Sequence, residues 1–155
     1  MRKLIFVWLI IIFASISCGK TSTSGCTPAT IASEKTSMIN YCNANAIKYT
    51  DSLGILFQVM NPGSGVAPNL NSHIYITYTG KLFDGTIFDS QSNATSTGWV
   101  LSSLIDGWKI GLPIIKKGGE IKLVIPSSLA YGCAGAGPIP SNTPLFFDVI
   151  LVDVQ

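Results

Sequence analysis

Beyond residue 54 the chain runs in short apolar and alternating stretches separated by Gly, Pro, Asn and Ser. Ile74, Ile76 and Tyr78 alternate with Tyr75, Thr77 and Thr79, the period of a strand buried on one side. Asp84-Gly85 follows. It is a strong hairpin signal, because Gly reaches positive φ without steric cost, so residues 76–90 read as two strands around a turn. Ile55 to Met60 predicts an earlier strand, stopped by Asn61-Pro62-Gly63, and Trp99-Val100-Leu101 a short one. Glu120 to Ile125 carries Ile121, Leu123 and Ile125 on one face, and Leu145 to Val154 is a long apolar final strand. Between them Ile105-Asp106-Gly107-Trp108 enters a short helix, limited by Pro113 and closed by Lys117-Gly118-Gly119. Tyr131 to Thr143 is a Gly/Pro-rich loop. Several antiparallel strands and one short helix predict an α+β fold.

The first residues follow another pattern. Arg2 and Lys3 precede an apolar run from Leu4 to Ile16, too short to span a bilayer and followed by polar residues, so residues 1–17 read as a secretory signal. Ser15-Ile16-Ser17-Cys18 resembles a bacterial lipobox, with Ser15 where Leu is usual, and implies lipidation of Cys18. An ordinary signal-peptidase cut would also start the mature chain near Cys18. Gly19-Lys20 lacks the Asp that retains many lipoproteins at an inner membrane, which directs the expectation to the cell envelope, on an outer membrane facing the periplasm. Residues 18–53 form a tether and an accessory helix. Gly19 to Thr30 is rich in Ser, Thr and Gly, Ser33 is the expected N-cap with Glu34 in the first turn, and Met38, Ile39 and Cys42 recur at helical spacing. Asn43-Ala44-Asn45 ends that helix.

Composition narrows the function. Without Arg2 and Lys3, ten basic residues become eight, against eight acidic, so the exported chain is near neutral and no basic patch marks a nucleic-acid partner. The lone His73 and the lack of a close Cys pair argue against a metal site, and no cofactor is expected. No G-x-S-x-G surrounds any Ser, so a hydrolytic triad has neither base nor frame. With Cys18 lipidated, Cys26, Cys42 and Cys133 leave one disulfide and one free thiol in an oxidising compartment. The expectation is that Cys133 is bridged to Cys26 or Cys42, the alternative being Cys26–Cys42.

Five stretches recur in an order that is more specific than any one of them: the hairpin with Phe88-Asp89, Leu104-Ile105-Asp106-Gly107-Trp108, Ala130-Tyr131-Gly132, Pro138-Ile139-Pro140, and Leu145-Phe146-Phe147-Asp148-Val149. Together they resemble the FKBP-type peptidyl-prolyl cis-trans isomerases over residues 54–155, and Gly63-Ser64-Gly65 echoes a turn of that family. The resemblance implies a curved antiparallel sheet wrapped around a short central helix, with a pocket between them. It also implies isomerisation of Xaa-Pro bonds in exported proteins, with proline-containing polypeptides as partners and macrolides as possible inhibitors. Trp108 resembles the indole floor; Tyr78, Phe88 and Phe147 the aromatic walls; Leu104 and Ile105 the rim, with the Ile105 N–H as donor to a substrate carbonyl. Tyr131 resembles the hydroxyl donor opposite, Asp89 the carboxylate beside the bound amide held by Tyr78, and Ile139 the tip of the overhanging loop. Trp99 stands for the second of two aromatics, and Thr97 replaces the first. Ser102-Ser103 shortens the next connection, Pro138 replaces an apolar residue, and Cys133 is unusual. These departures bear on macrolide affinity and sequence preference. Thr97 also motivates the alternative of a proline-binding or chaperone module without catalysis. Taken singly, without the resemblance, each aromatic reads first as core packing.

Overall fold

The protein is represented by a computed structural model that describes residues 25–155. Residues 1–17 and Cys18, with the expectations placed on them, lie outside the described residues.

The first element is a helix, α1 (Ile31–Ala44). Its N-cap is Thr30, not Ser33. The Thr30 hydroxyl accepts from the Ser33 N–H, and the Ser33 hydroxyl accepts from the Thr30 N–H, each at 3.1 Å. Ser33 therefore fills the third position of a capping box, where it satisfies a second orphan donor of the first turn. Asn45 caps the other end, as Asn43-Ala44-Asn45 implied.

Seven strands then build one antiparallel sheet: β1 (Thr50–Ser52), β2 (Ile55–Asn61), β3 (His73–Lys81), β4 (Ile87–Gln91), β5 (Trp99–Val100), β6 (Gly119–Ile125) and β7 (Leu145–Val154). Their order is β1-β2-β6-β7-β3-β4, with β5 beside β3. A short helix, α2 (Asp106–Gly111), lies between β5 and β6 in the chain. The result is the α+β architecture expected: a curved antiparallel sheet around a short helix. Register shifts at Val59/Asn61, Tyr75/Ile76 and Gly80/Lys81 are bulges, and bulges bend and twist a sheet.

Two details differ from the pattern-based reading. Polar β1 has no alternation to announce it. It exists because Leu53 and Gly54, at φ 49° and 90°, form a tight turn that folds it onto β2, pairing Thr50 with Phe57. Leu101, expected to end a strand, instead begins a 3-10 turn over Leu101–Ser103.

Alternation places a buried side chain on each face of the sheet. Ile55, Ile121, Leu123, Ile125, Phe147, Val149 and Leu151 point into the main core with α2. Their neighbours Leu56, Val124 and Phe146 point the other way, into a second cluster completed by Met38, Cys42 and Ile47. The accessory helix thus covers the back of the sheet rather than extending away from it.

α2 is seated through its glycines. A Cβ on Gly107 would stand 2.4 Å from the Ile125 side chain, and one on Gly111 would stand 2.6 Å from Leu123. Four residues apart, these two glycines lie on one side of the helix and bring its backbone against β6. Trp108, next to Gly107, is held at the same depth.

Candidate active site

Between α2, β3 and β7 lies a cavity of about 260 Å³, lined by Tyr78, Asp89, Trp99, Ser103, Leu104, Ile105, Trp108, Tyr131 and Phe147. Tyr78 comes from β3 and Phe147 from β7, on adjacent strands of the sheet. Asp89 comes from β4, and Trp99 from β5. Trp108 rises from α2, and Ile105 is that helix's N-cap residue.

The aromatic rings meet edge to face. Trp108 stands 5.1 Å from Tyr78 and 5.2 Å from Phe147, at interplanar angles of 79° and 77°. Trp99 lies 6.1 Å from Tyr78. Phe88 packs T-shaped on Phe147 at 5.5 Å but does not line the cavity, so it supports the wall from behind. Ile139 also lies off the lining. It is buried in the main core, joined to Ala136 by a bridge within its loop. The other sequence-derived candidates are gathered around the one cavity.

The polar groups are few and placed. The Tyr78 hydroxyl donates to Asp89 Oδ2 at 2.6 Å. Burial, followed by the hydrogen bond and charge of Asp89, holds the Tyr78 phenol far above its ordinary pKa of 10.0. Tyr131 is pushed up too, by burial and then by the Asp89 charge, although its residue is 38% exposed at the rim. Trp108 is only 4% exposed, and its Nε1–H is buried without a partner among the described residues. The Ile105 carbonyl receives the first helical bonds, from the Trp108 and Lys109 N–H groups, while its own N–H has no hydrogen-bond partner among the described residues. An aromatic cavity with a few fixed polar groups at its edge can grip an apolar ring beside a carbonyl.

Several contributors escaped sequence reasoning. Gly80 lies under two rings: a Cβ there would be 2.6 Å from Phe88 and 3.0 Å from Phe147. Gly111 seats α2, and Ser103 lines the cavity. A glycine at i+4 from Gly107 in a predicted helix was the available signal for Gly111. Thr97, read only as a missing aromatic, accepts from the Ile76 N–H at 3.0 Å and donates to the Ala94 carbonyl at 2.6 Å. It ties the connection to β3 with hydrogen bonds where a ring would have packed.

A larger depression of about 470 Å³ lies along Thr77, Thr79, Lys81, Ser90, Glu120 and Asp148. Tyr78 is the one aromatic residue along it, and Asp148 is paired with Lys122 at 2.8 Å, so it offers no comparable aromatic grip.

The comparisons agree with this geometry. The family described as FKBP-type peptidyl-prolyl cis-trans isomerase matches residues 65–152. The chain is 47% identical over 107 residues to the FKBP-type peptidyl-prolyl cis-trans isomerase FkpA of Escherichia coli, covering 68% of this chain and 40% of that protein. It is 39% identical over 120 residues to FkpA of Aeromonas hydrophila, covering 74% and 44%. The chain thus spans less than half the length of these curated relatives. Among solved structures, the crystal structure of Escherichia coli FkpA superposes with a TM-score of 0.69 at 39% identity, over 81% of this chain and 61% of that one. A peptidyl-prolyl cis-trans isomerase from Pseudomonas syringae superposes at 0.67 and 33% identity, over 83% and 98%.

Proposed function

The chain belongs to the FKBP-type peptidyl-prolyl cis-trans isomerases, and on that premise we propose that it catalyses cis-trans isomerisation of Xaa-Pro bonds in exported polypeptides. Rotation about this bond makes and breaks no covalent bond. The barrier is amide resonance, and uncatalysed exchange is slow. A catalyst must favour the twisted amide, in which the carbonyl has lost resonance polarity. The observation that carries the reading is the small aromatic cavity with the hydrogen-bonded Tyr78–Asp89 pair at its edge.

In this reading Trp108 floors the proline ring, and Tyr78 and Phe147, backed by Phe88, wall it in. The Ile105 N–H and the Tyr131 hydroxyl meet peptide carbonyls on opposite rims. Asp89, held by Tyr78, faces the rotating amide, where a carboxylate fixed in direction acts electrostatically without reorganising. Leu104 and Trp99 flank the entrance, and Ile139 shapes the loop above. Residues 54–155 act as the isomerase domain, and a macrolide would compete for the same cavity.

The compartment forms part of the proposal. Cys26 and Cys133 are joined, with Cα atoms 5.5 Å apart, and Cys42 is free and buried. A bridge of this kind persists in exported proteins. It favours the reading of residues 1–17 as a leader for export; the further reading of Cys18 as a lipid anchor on an outer membrane facing the periplasm rests on Ser15-Ile16-Ser17-Cys18 and on Gly19-Lys20. No helix among the described residues is long and apolar enough to cross a membrane. Labelling with a fatty-acid analogue tests the anchor: it should mark the wild type and not Cys18→Ala, and an unlabelled wild type removes it.

A protease-coupled assay on a short Xaa-Pro peptide tests the activity. Folded, pure protein should accelerate exchange. Peptide binding without turnover would instead indicate a proline-binding module, and neither binding nor turnover would end the reading.

A further inference from the structure

Three ties run from the segment ahead of the sheet to the loop that carries Tyr131. Glu34, on α1, is 7% exposed and belongs to no ion pair among the described residues. Both its carboxylate oxygens are spent on one residue: Oε2 accepts from the Ser127 N–H at 2.7 Å, and Oε1 from the Ser127 hydroxyl at 2.6 Å. The second tie is the Cys26–Cys133 disulfide. The third is Asn142, whose Oδ1 accepts from the Ala29 N–H at 2.9 Å while its Nδ2 donates to the Thr27 carbonyl at 3.0 Å.

These anchor points bracket Tyr131. The Ser127 carbonyl accepts from the Ala130 and Gly132 N–H groups at 2.9 and 2.8 Å, one on each side of Tyr131. The Gly132 carbonyl in turn accepts from the Asn142 N–H at 3.0 Å. Glu34 fixes Ser127, Ser127 fixes the turn over Ser127–Leu129 and the two amides beyond it, and those amides aim the Tyr131 side chain at the cavity.

Burying a carboxylate without a cation is expensive, and an apolar side chain at that position of α1 would serve packing better. A carboxylate that spends both oxygens on one serine confers position instead. Resting on the isomerase reading of the same cavity, we propose that residues 26–34, ahead of the matched family region, complete the active site, with Glu34 as a positioning residue that acts through Ser127 on Tyr131.

A double-mutant cycle in the purified protein tests this. Glu34→Ala should lower kcat/KM for an Xaa-Pro peptide about fivefold, the worth of a hydrogen bond of ordinary net strength. In a Tyr131→Phe background the same change should have less than about a twofold effect, because residues acting in series are not additive. Glu34→Gln, which keeps an acceptor and the shape, should recover most of the loss. An equal effect of Glu34→Ala in both backgrounds, or none in the wild type, overturns the proposal. If Glu34→Ala does not fold, Ser127→Ala takes its place in the cycle under the same criteria. Amide hydrogen exchange separates this proposal from the isomerase reading. If the wild type proves inactive, that reading fails, and exchange at residues 130–132 decides the clasp. It should quicken in Glu34→Ala while exchange in α2 does not, and unchanged exchange at 130–132 refutes it.

Discussion

Phe146 and Phe147 are neighbours on one strand and have opposite roles. Phe146 faces the back of the sheet, 5.5 Å from Tyr41, which itself stacks on Phe83 at 4.3 Å. There Met38, Cys42 and Leu56 close the space, and the rings serve as filling. Phe147 faces the front, where equally buried rings stand edge to face around space that stays open. The difference lies in what covers each face. The back is covered by fourteen residues of α1, with long side chains at helical spacing. The front is covered by six residues of α2, pressed down through two glycines, and one turn and a half of helix cannot fill what it roofs. A site here is a core left incomplete by a short helix, with a hydroxyl–carboxylate pair at its edge.

Truncation should separate the two faces most sharply. Phe146→Ala and Phe147→Ala should each lose about 3–5 kcal/mol in urea unfolding, since both empty a packed ring position. Only Phe147→Ala should also lower isomerase turnover per folded molecule. Equal turnover in the two variants would erase the distinction between filling and wall.

Gly107→Ala attacks the seat of the short helix. Its new Cβ meets the Ile125 side chain, so α2 must shift, at about 1–3 kcal/mol for overpacking. Trp108 should move with it, visible as a change in its fluorescence together with weaker peptide binding. Unchanged fluorescence and binding would show that the seating glycines do not set the cavity floor.

Tyr78→Phe removes the 2.6 Å hydrogen bond to Asp89 and should cost about 1–2 kcal/mol of stability. The rate should fall as the carboxylate loses its fixed direction. A full rate in the assay would show that Asp89 is oriented without Tyr78.

The smallest expected effect is alkaline, and both faces share it. Tyr78 and Tyr131 at the front, and Tyr41 and the Cys42 thiol at the back, are all raised, chiefly by burial. The folded state holds these protons where the unfolded chain has released them. Their contribution is therefore complete below the ordinary values, 9.0 for the thiol and 10.0 for the phenols, and is lost as pH climbs toward the folded ones. Urea midpoints measured from pH 8 upward should fall beyond those values, and Tyr78→Phe should flatten the fall. A midpoint independent of pH in that range would contradict the buried phenols.

Much was legible in the chain itself. Alternation around Ile76, the turn at Asp84-Gly85 and the apolar run from Leu145 determined three of the sheet's elements, because side-chain period and local backbone preference act over a few residues. The resemblance of ordered motifs named Asp89, Ile105, Trp108, Tyr131 and Phe147, which line one cavity, and Phe88, which packs behind Phe147. Other features depended on partners distant in sequence, and only the tertiary structure decided them. Phe146 and Phe147 look alike until the sheet has two covered faces. Glu34 looks like an ordinary first-turn acid until α1 docks and places it against Ser127, 93 residues away. Three thiols permit three pairings, and the choice of Cys26 with Cys133 follows from which backbones the docked helix brings within bridging distance. Gly80 carries no side chain to announce a role, and its importance lies in the rings that approach it. Local patterns determined the elements, and the close packing of those elements decided which residues are core, which are site and which hold the site in place.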